Sequence, residues 1–139
     1  MSQENVEVVR VFMEHTNLTG GEPLWELLDP DIEWIVDPTG LLAGTYRGHE
    51  GVREFFERLR ESFDETHVEI DELIDAGGSV VLLCRIRNRG RSSGMTVEQP
   101  TGWVSEVRDG RIVRSRVYFR AAEALEAAGL SEQDAPDKS

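Results

Sequence analysis

An aspartate directly before a proline closes the alternating apolar segment Ile32-Glu33-Trp34-Ile35-Val36, and this Asp37-Pro38 pair is where the chain could do acid–base chemistry. A carboxylate desolvated among Trp34, Tyr46, Phe55 and Trp103 would have its pKa raised and could shuttle a proton between two carbons or to a ring oxygen. The same dipeptide equally suits an aspartate that caps a turn before proline. Residue type and position leave both readings open.

Other chemistry has less to stand on. His15 lies near the end of a helical segment, where an exposed histidine is favoured by the helix C-terminus, and His49 reads as a surface residue. Three scattered histidines and one cysteine show no metal-ligand spacing, so no metal is expected. Gly77-Gly78 reads as a hairpin turn and not as a phosphate-binding loop, so no cofactor is implied either. Cys84 has no second cysteine with which to form an internal bridge. The aromatic residues are first of all core, but Trp34, Tyr46 and Trp103 are the ones expected near an opening, where a small hydrophobic organic ligand could touch them.

Charge bounds the partners. With 27 acidic against 15 basic residues the formal net charge is −12, which repels phosphates and anionic lipid at long range. Arg85, Arg87, Arg89 and Arg91, with Arg108, Arg111, Arg114, Arg116 and Arg120, alternate along strand-like segments and read as the solvated or subunit-facing side of a sheet. Neither nucleic acid nor membrane is an expected partner. The first residues carry no basic and apolar regions of a signal peptide, and a cytoplasmic location is expected.

The elements that must position these side chains follow from periodicity. Val6, Val9, Phe12 and Met13 recur at helical spacing from Gln3 to about Leu18, with Ser2 placed to cap the start and Gly20-Gly21 to stop it. Pro23 opens a short helical piece, PLWELL, and Ile32 to Asp37 reads as the first strand, with Ile32, Trp34 and Val36 on one face. After a glycine-rich loop, Val52, Phe55, Phe56, Leu59 and Phe63 form a stripe that only a helix from His49 to Phe63 gathers on one side. From Thr66 to Arg120 the pattern is strands: Thr66 to Asp75, Ser79 to Arg91, Met95 to Val107 and Arg111 to Arg120, with turns at Gly77-Gly78 and Asp109-Gly110. Alternation puts Val80, Leu82, Cys84 and Ile86 on one face, and likewise Val113, Ser115, Val117 and Phe119, opposite the arginines. Ala121 to Ala128 reads as a short helix, and residues 131–139 as a disordered tail behind a single domain of residues 1–130.

This order of elements resembles the nuclear transport factor 2-like superfamily, specifically its SnoaL-like and ketosteroid-isomerase-like branches, from Gln3 to about Phe119. The pieces that carry the resemblance are LWELLDPDIEWIVDP, GTYRGHEGVREFF and VRDGRIVRSRVYF. It implies an α+β cone in which a curved mixed or antiparallel sheet, packed on three N-terminal helices, encloses one pocket. It also implies a homodimer through the outer face of the sheet.

By that resemblance Asp37 occupies the place of a general-base aspartate, and a ligand would meet Phe12, Trp34, Tyr46, Phe55, Val117 and Phe119. Gln99, Thr101 and Ser105 share strand parity with Trp103 and are the polar residues expected beside it. The sequence departs from ketosteroid isomerases at both oxyanion donors, since Phe12 stands at the tyrosine's place and Trp103 at the aspartate's. Steroid isomerisation is therefore not expected. What stays open is a cofactor-free isomerase, cyclase or hydrolase acting through Asp37, or a module that binds a ligand or dimerises without catalysis.

Overall fold

The computed structural model describes residues 2–18 and 22–130. Helix α1 (Ser2–Leu18) leads through a single 3-10 turn (Trp25–Leu27) into strand β1 (Leu28–Val36). Strand β2 (Gly44–Arg47), helix α2 (Gly48–Ser62), and strands β3 (Phe63–Asp75), β4 (Ser79–Gly90), β5 (Thr96–Arg108) and β6 (Arg111–Tyr118) follow, and helix α3 (Ala121–Ala127) comes last. The capping role expected of the Ser2 side chain, the Gly20-Gly21 stop and the 131–139 tail fall outside what is described.

The six strands form one mixed sheet in the order β2-β1-β6-β5-β4-β3, parallel only where β1 meets β6. A sheet of this kind with three helices is the α+β architecture expected. Several boundaries differ, each for a local reason. The first strand begins at Leu28, because Asp29-Pro30-Asp31 runs on extended through a register irregularity before Glu33 pairs with Arg114. Gly44–Arg47, read as loop, is a strand of 4 residues on the edge, held by Trp34 opposite Tyr46. Phe63 starts β3 instead of ending the helix, since it pairs with Gly90.

The last strand carries a bulge. Ser105 faces Ser115 but Val107 faces Ile112, so Val113 is the extra residue. Ile112 is thereby the core side chain at 2% exposure, and the face expected for Val113 passes to it. Pro100 sits inside β5 without breaking it: β6 pairs with β5 only from Gly102 onward, so the missing N–H falls on a free edge.

Two apolar layers result. Inside, α1 and α2 lay Val9, Phe12, Val52 and Phe56 on Ile32, Trp34, Val36, Leu82 and Trp103. Each such buried side chain stabilises by roughly 1.5–3 kcal/mol. Outside, Val81 and Leu83 are buried under Ala124 and Leu125 of α3. The outer face is therefore not solvated or subunit-facing throughout, because its apolar stretch is roofed by the C-terminal helix. Its remainder carries the arginines in ion pairs: Arg85 grips Asp71, the bulge residue of β3, at 2.8 Å and Glu98 at 3.2 Å, and Arg89 holds Asp64 at 2.8 Å.

Candidate functional site

Between α1, α2 and the inner sheet face lies a cavity of about 620 Å³. Its floor is an aromatic cluster centred on Trp34, whose ring lies 6.0 Å from Phe12, 5.6 Å from Phe55, 5.7 Å from Phe56 and 5.1 Å from Trp103. These tilted and edge-on contacts suit the ring quadrupoles. The indole N–H groups of Trp34 and Trp103 are buried without a hydrogen-bond partner. That of Trp103 lies towards Cys84, a contact too weak to offset the burial that pushes the thiol up to about 12.

Phe12, Trp34, Phe55, Gln99, Trp103, Val117 and Phe119 all line the cavity. Trp34 and Trp103, at 1% and 5% exposure, are its floor and not its mouth. Tyr46 belongs elsewhere: its hydroxyl donates to the Leu42 carbonyl at 2.8 Å and accepts from Arg58 at 2.9 Å, which ties β2 to the loop before it and to α2. Thr101 and Ser105 face inward, as their parity predicts, yet stay within the wall. Thr101 donates to the Gln99 carbonyl at 3.2 Å, and Ser105 shares a 3.1 Å hydrogen bond with Ser115. Both are too short to pass their larger neighbours.

Asp37 is buried at 9% exposure but does not line the cavity. Its Oδ1 accepts from the backbone N–H of Thr39 at 2.8 Å and from the Thr39 hydroxyl at 2.7 Å. The Thr39 amide is the largest cause of a pKa below the ordinary value of 3.8. Burial pushes the other way, and the Thr39 hydroxyl, the Phe119 amide and Arg116 reinforce the lowering. The raised pKa expected from desolvation is thus overturned, because hydrogen bonds to the ionised form outweigh burial. What Asp37 does visibly is shape the 37–43 turn, where the Gly40 amide also donates to its carbonyl at 2.9 Å. His49, expected at the surface, is half-buried, with Nε2 2.9 Å from the Leu28 carbonyl and its ring 5.2 Å from Trp25.

Polar residues that sequence reasoning passed over also reach the cavity. Asn17, at the end of α1, grips the Val68 backbone from both sides, donating to its carbonyl at 2.8 Å and accepting from its amide at 3.0 Å. Thr66 and Asn88 face each other across β3 and β4, and the Thr66 hydroxyl donates to Asn88 Oδ1 at 2.7 Å. The signal for Asn88 was present, since it continues the inward alternation of Cys84 and Ile86. A wider, shallower concavity of about 950 Å³ on the other side of the sheet is lined by mixed charges such as Glu33, Arg47, Glu106 and Arg114, and offers no enclosure. Among the described residues no cluster of three His, Cys, Asp or Glu could hold a metal, and no helix is long and apolar enough to cross a membrane.

The sequence pattern of the SnoaL-like domain matches residues 9–115. Among solved structures, a nuclear transport factor 2-like protein of unknown function from Burkholderia pseudomallei is 27% identical, with a TM-score of 0.73 over 88% of this chain and 95% of that one. TerC, co-crystallised with polyporic acid, is 22% identical with a TM-score of 0.75, covering 91% of this chain and 98% of its own. A protein with a ketosteroid isomerase-like fold from Catenulispora acidiphila, in complex with trimethylamine, is 18% identical with a TM-score of 0.72, covering 94% and 98%. The last two speak to the fold alone, which is the nuclear transport factor 2-like α+β cone. No curated protein matches.

Proposed function

The chain belongs to the SnoaL-like domain family, and from that premise we propose that its cone holds one small, uncharged, largely apolar organic molecule and that binding, not proton transfer by Asp37, is its task. The observation that carries this is the position of Asp37, which does not line the cavity and whose Oδ1 is taken up by Thr39, at a pKa below the ordinary carboxylate value. A general base must reach the proton that it removes and should titrate near the working pH. Asp37 meets neither condition.

The rest of the lining suits a ring system. The floor is aromatic, the neutral polar side chains of Thr66 and Asn88 stand above it, charged groups of both signs such as Arg60, Asp64, Glu65 and Arg91 occur among the lining residues, and a volume of about 620 Å³ lies within the usual range for small-molecule sites. The homodimer expected through the outer face belongs to this reading only for the charged part of that face, since α3 roofs the apolar part. Sedimentation of the purified chain checks it, and a monomer at all concentrations removes it.

The test of the binding reading is native mass spectrometry and calorimetry with a panel of one- and two-ring compounds. One-to-one binding that is lost in Val68→Trp, which fills the cavity from β3, is the expected result. No binding across the panel overturns the reading. Conversion of a bound compound that Asp37→Asn abolishes would restore the catalytic role of Asp37.

A further inference from the structure

We propose that Asn88 reads a neutral hydrogen-bond acceptor on the bound molecule, a ketone or quinone oxygen carried at the outer end of an otherwise apolar ring system. This inference rests on the reading of the cone as a ligand site. Asn88 is half-buried on β4, on the inner face with Ile86, and lines the cavity. Its carboxamide is oriented by its neighbour: Thr66, directly opposite on β3, donates Oγ1–H to Asn88 Oδ1 at 2.7 Å.

An amide whose oxygen is held in this way presents its two N–H groups to whatever lies in front of it. Among the described residues nothing accepts from Nδ2 of Asn88. The unspent donor of the group is therefore Nδ2, and it asks for an acceptor.

The surroundings narrow the choice to a neutral one. Arg91, one of the guanidiniums on the rim, spends Nε on the Arg60 carbonyl at 3.0 Å and Nη2 on the Phe63 carbonyl at 3.4 Å, so it is turned to the backbone. Arg87 reaches the rim of the cavity, but it is exposed and shares strand parity with Arg85 and Arg89 of the outer side, so its charge stays solvated. Asp64 and Glu65 line the same rim beside Arg60, Arg87 and Arg91 and are themselves paired with Arg89, so the charges there are mixed and favour neither sign of ligand. Gln99 on β5 is a second carboxamide on the inner face, with no partner for its side-chain amide among the described residues. It is a diagonal neighbour of Asn88, because Ile86 faces Gln99 while Asn88 faces Val97. Diagonal neighbours stand about 7–8 Å apart, close enough to reach one ring from two sides. A ligand that displaces water from Asn88 without supplying an acceptor leaves a donor unpaired, and this disfavours plain hydrocarbons.

Two probes of nearly one shape test the inference: 1-tetralone, which carries a ketone, and tetralin, which does not. Calorimetry gives the ratio of their dissociation constants for the natural chain, for Asn88→Leu and for Thr66→Val. The ratio favouring the ketone should fall about five- to tenfold in Asn88→Leu, the worth of one net hydrogen bond, with tetralin still bound and so reporting an intact cavity. Thr66→Val, which releases the amide to turn, should lower it several-fold. An unchanged ratio in Asn88→Leu overturns the assignment, and a fall there with none in Thr66→Val overturns the orienting role of Thr66. If neither probe binds the natural chain, the ligand-site reading fails and takes this inference with it, an outcome distinct from equal binding of both.

Discussion

Gly40 lies against the ring of Phe119 so closely that a Cβ at this position would sit 2.4 Å from Cε2 and 2.8 Å from Cζ. The 37–43 turn and the wall of the cavity are thus one unit, with the glycine backbone as its contact surface. Gly40→Ala should force either the turn or the ring to move, at a cost of about 1–3 kcal/mol for overpacking. Urea denaturation reads the loss. Wild-type stability in Gly40→Ala would show that the contact yields freely.

Asp37 gives a pH-dependent form of the same point. Its pKa is lower in the folded chain than its ordinary value of 3.8, so below that value the unfolded state binds the proton more readily. Its contribution is fully present above the ordinary value and is lost as pH falls through the folded value. The stability advantage of the natural chain over Asp37→Asn should be flat from pH 8 to about 5 and shrink below 3.8. An advantage that instead grew on acidification would mean that burial, and not Thr39, dominates this carboxylate.

The helices and long strands were legible because their signals are local: the Phe55, Phe56 and Leu59 stripe of α2, the Val80 to Ile86 alternation of β4, and the Asp109-Gly110 turn. What was not legible depends on partners distant in sequence. The bulge that hands the core from Val113 to Ile112 is set by where β5 pairs, and β2 exists because Trp34 has Tyr46 to face. The site was half legible for the same reason. Parity placed Trp103, Val117 and Phe119 on the inner face, but parity says nothing of reach, so Thr101 and Ser105 were expected in a cavity that they do not enter. For Asp37 the sequence offered burial and turn-capping together, and only the distances to Thr39 decide between them.

Gly102 lets α3 dock. A Cβ there would lie 2.5 Å from the Cβ of Ala124, so the helix rests on the bare backbone of β5. Gly102→Val should lift α3, expose Val81 and Leu83 and lower stability, with the proteolytic cleavage of the C-terminal helix becoming rapid while the cavity side stays protected. Leu125→Ser, which weakens the same contact from the other side, should act in the same direction. Unchanged cleavage in both would mean that α3 is held by something other than this seat.

Cys84 closes the inner wall between Leu82 and Ile86, at 3% exposure and with burial pushing its thiol up to about 12. The nucleophile in alkylation and disulfide exchange is the thiolate, so at pH 8 the native thiol is protected twice, by protonation and by lack of access. Labelling by a disulfide reagent should be at least a hundredfold slower than for the urea-unfolded chain, whose thiol has the ordinary pKa near 8.5. Because the inner wall opens only with the sheet, the labelling rate should track global unfolding and slow further when a compound occupies the cavity. Fast labelling of the native chain, indifferent to urea, would show that the wall beside Trp103 opens by itself, and the cavity would then be reached through the sheet as well as through its mouth.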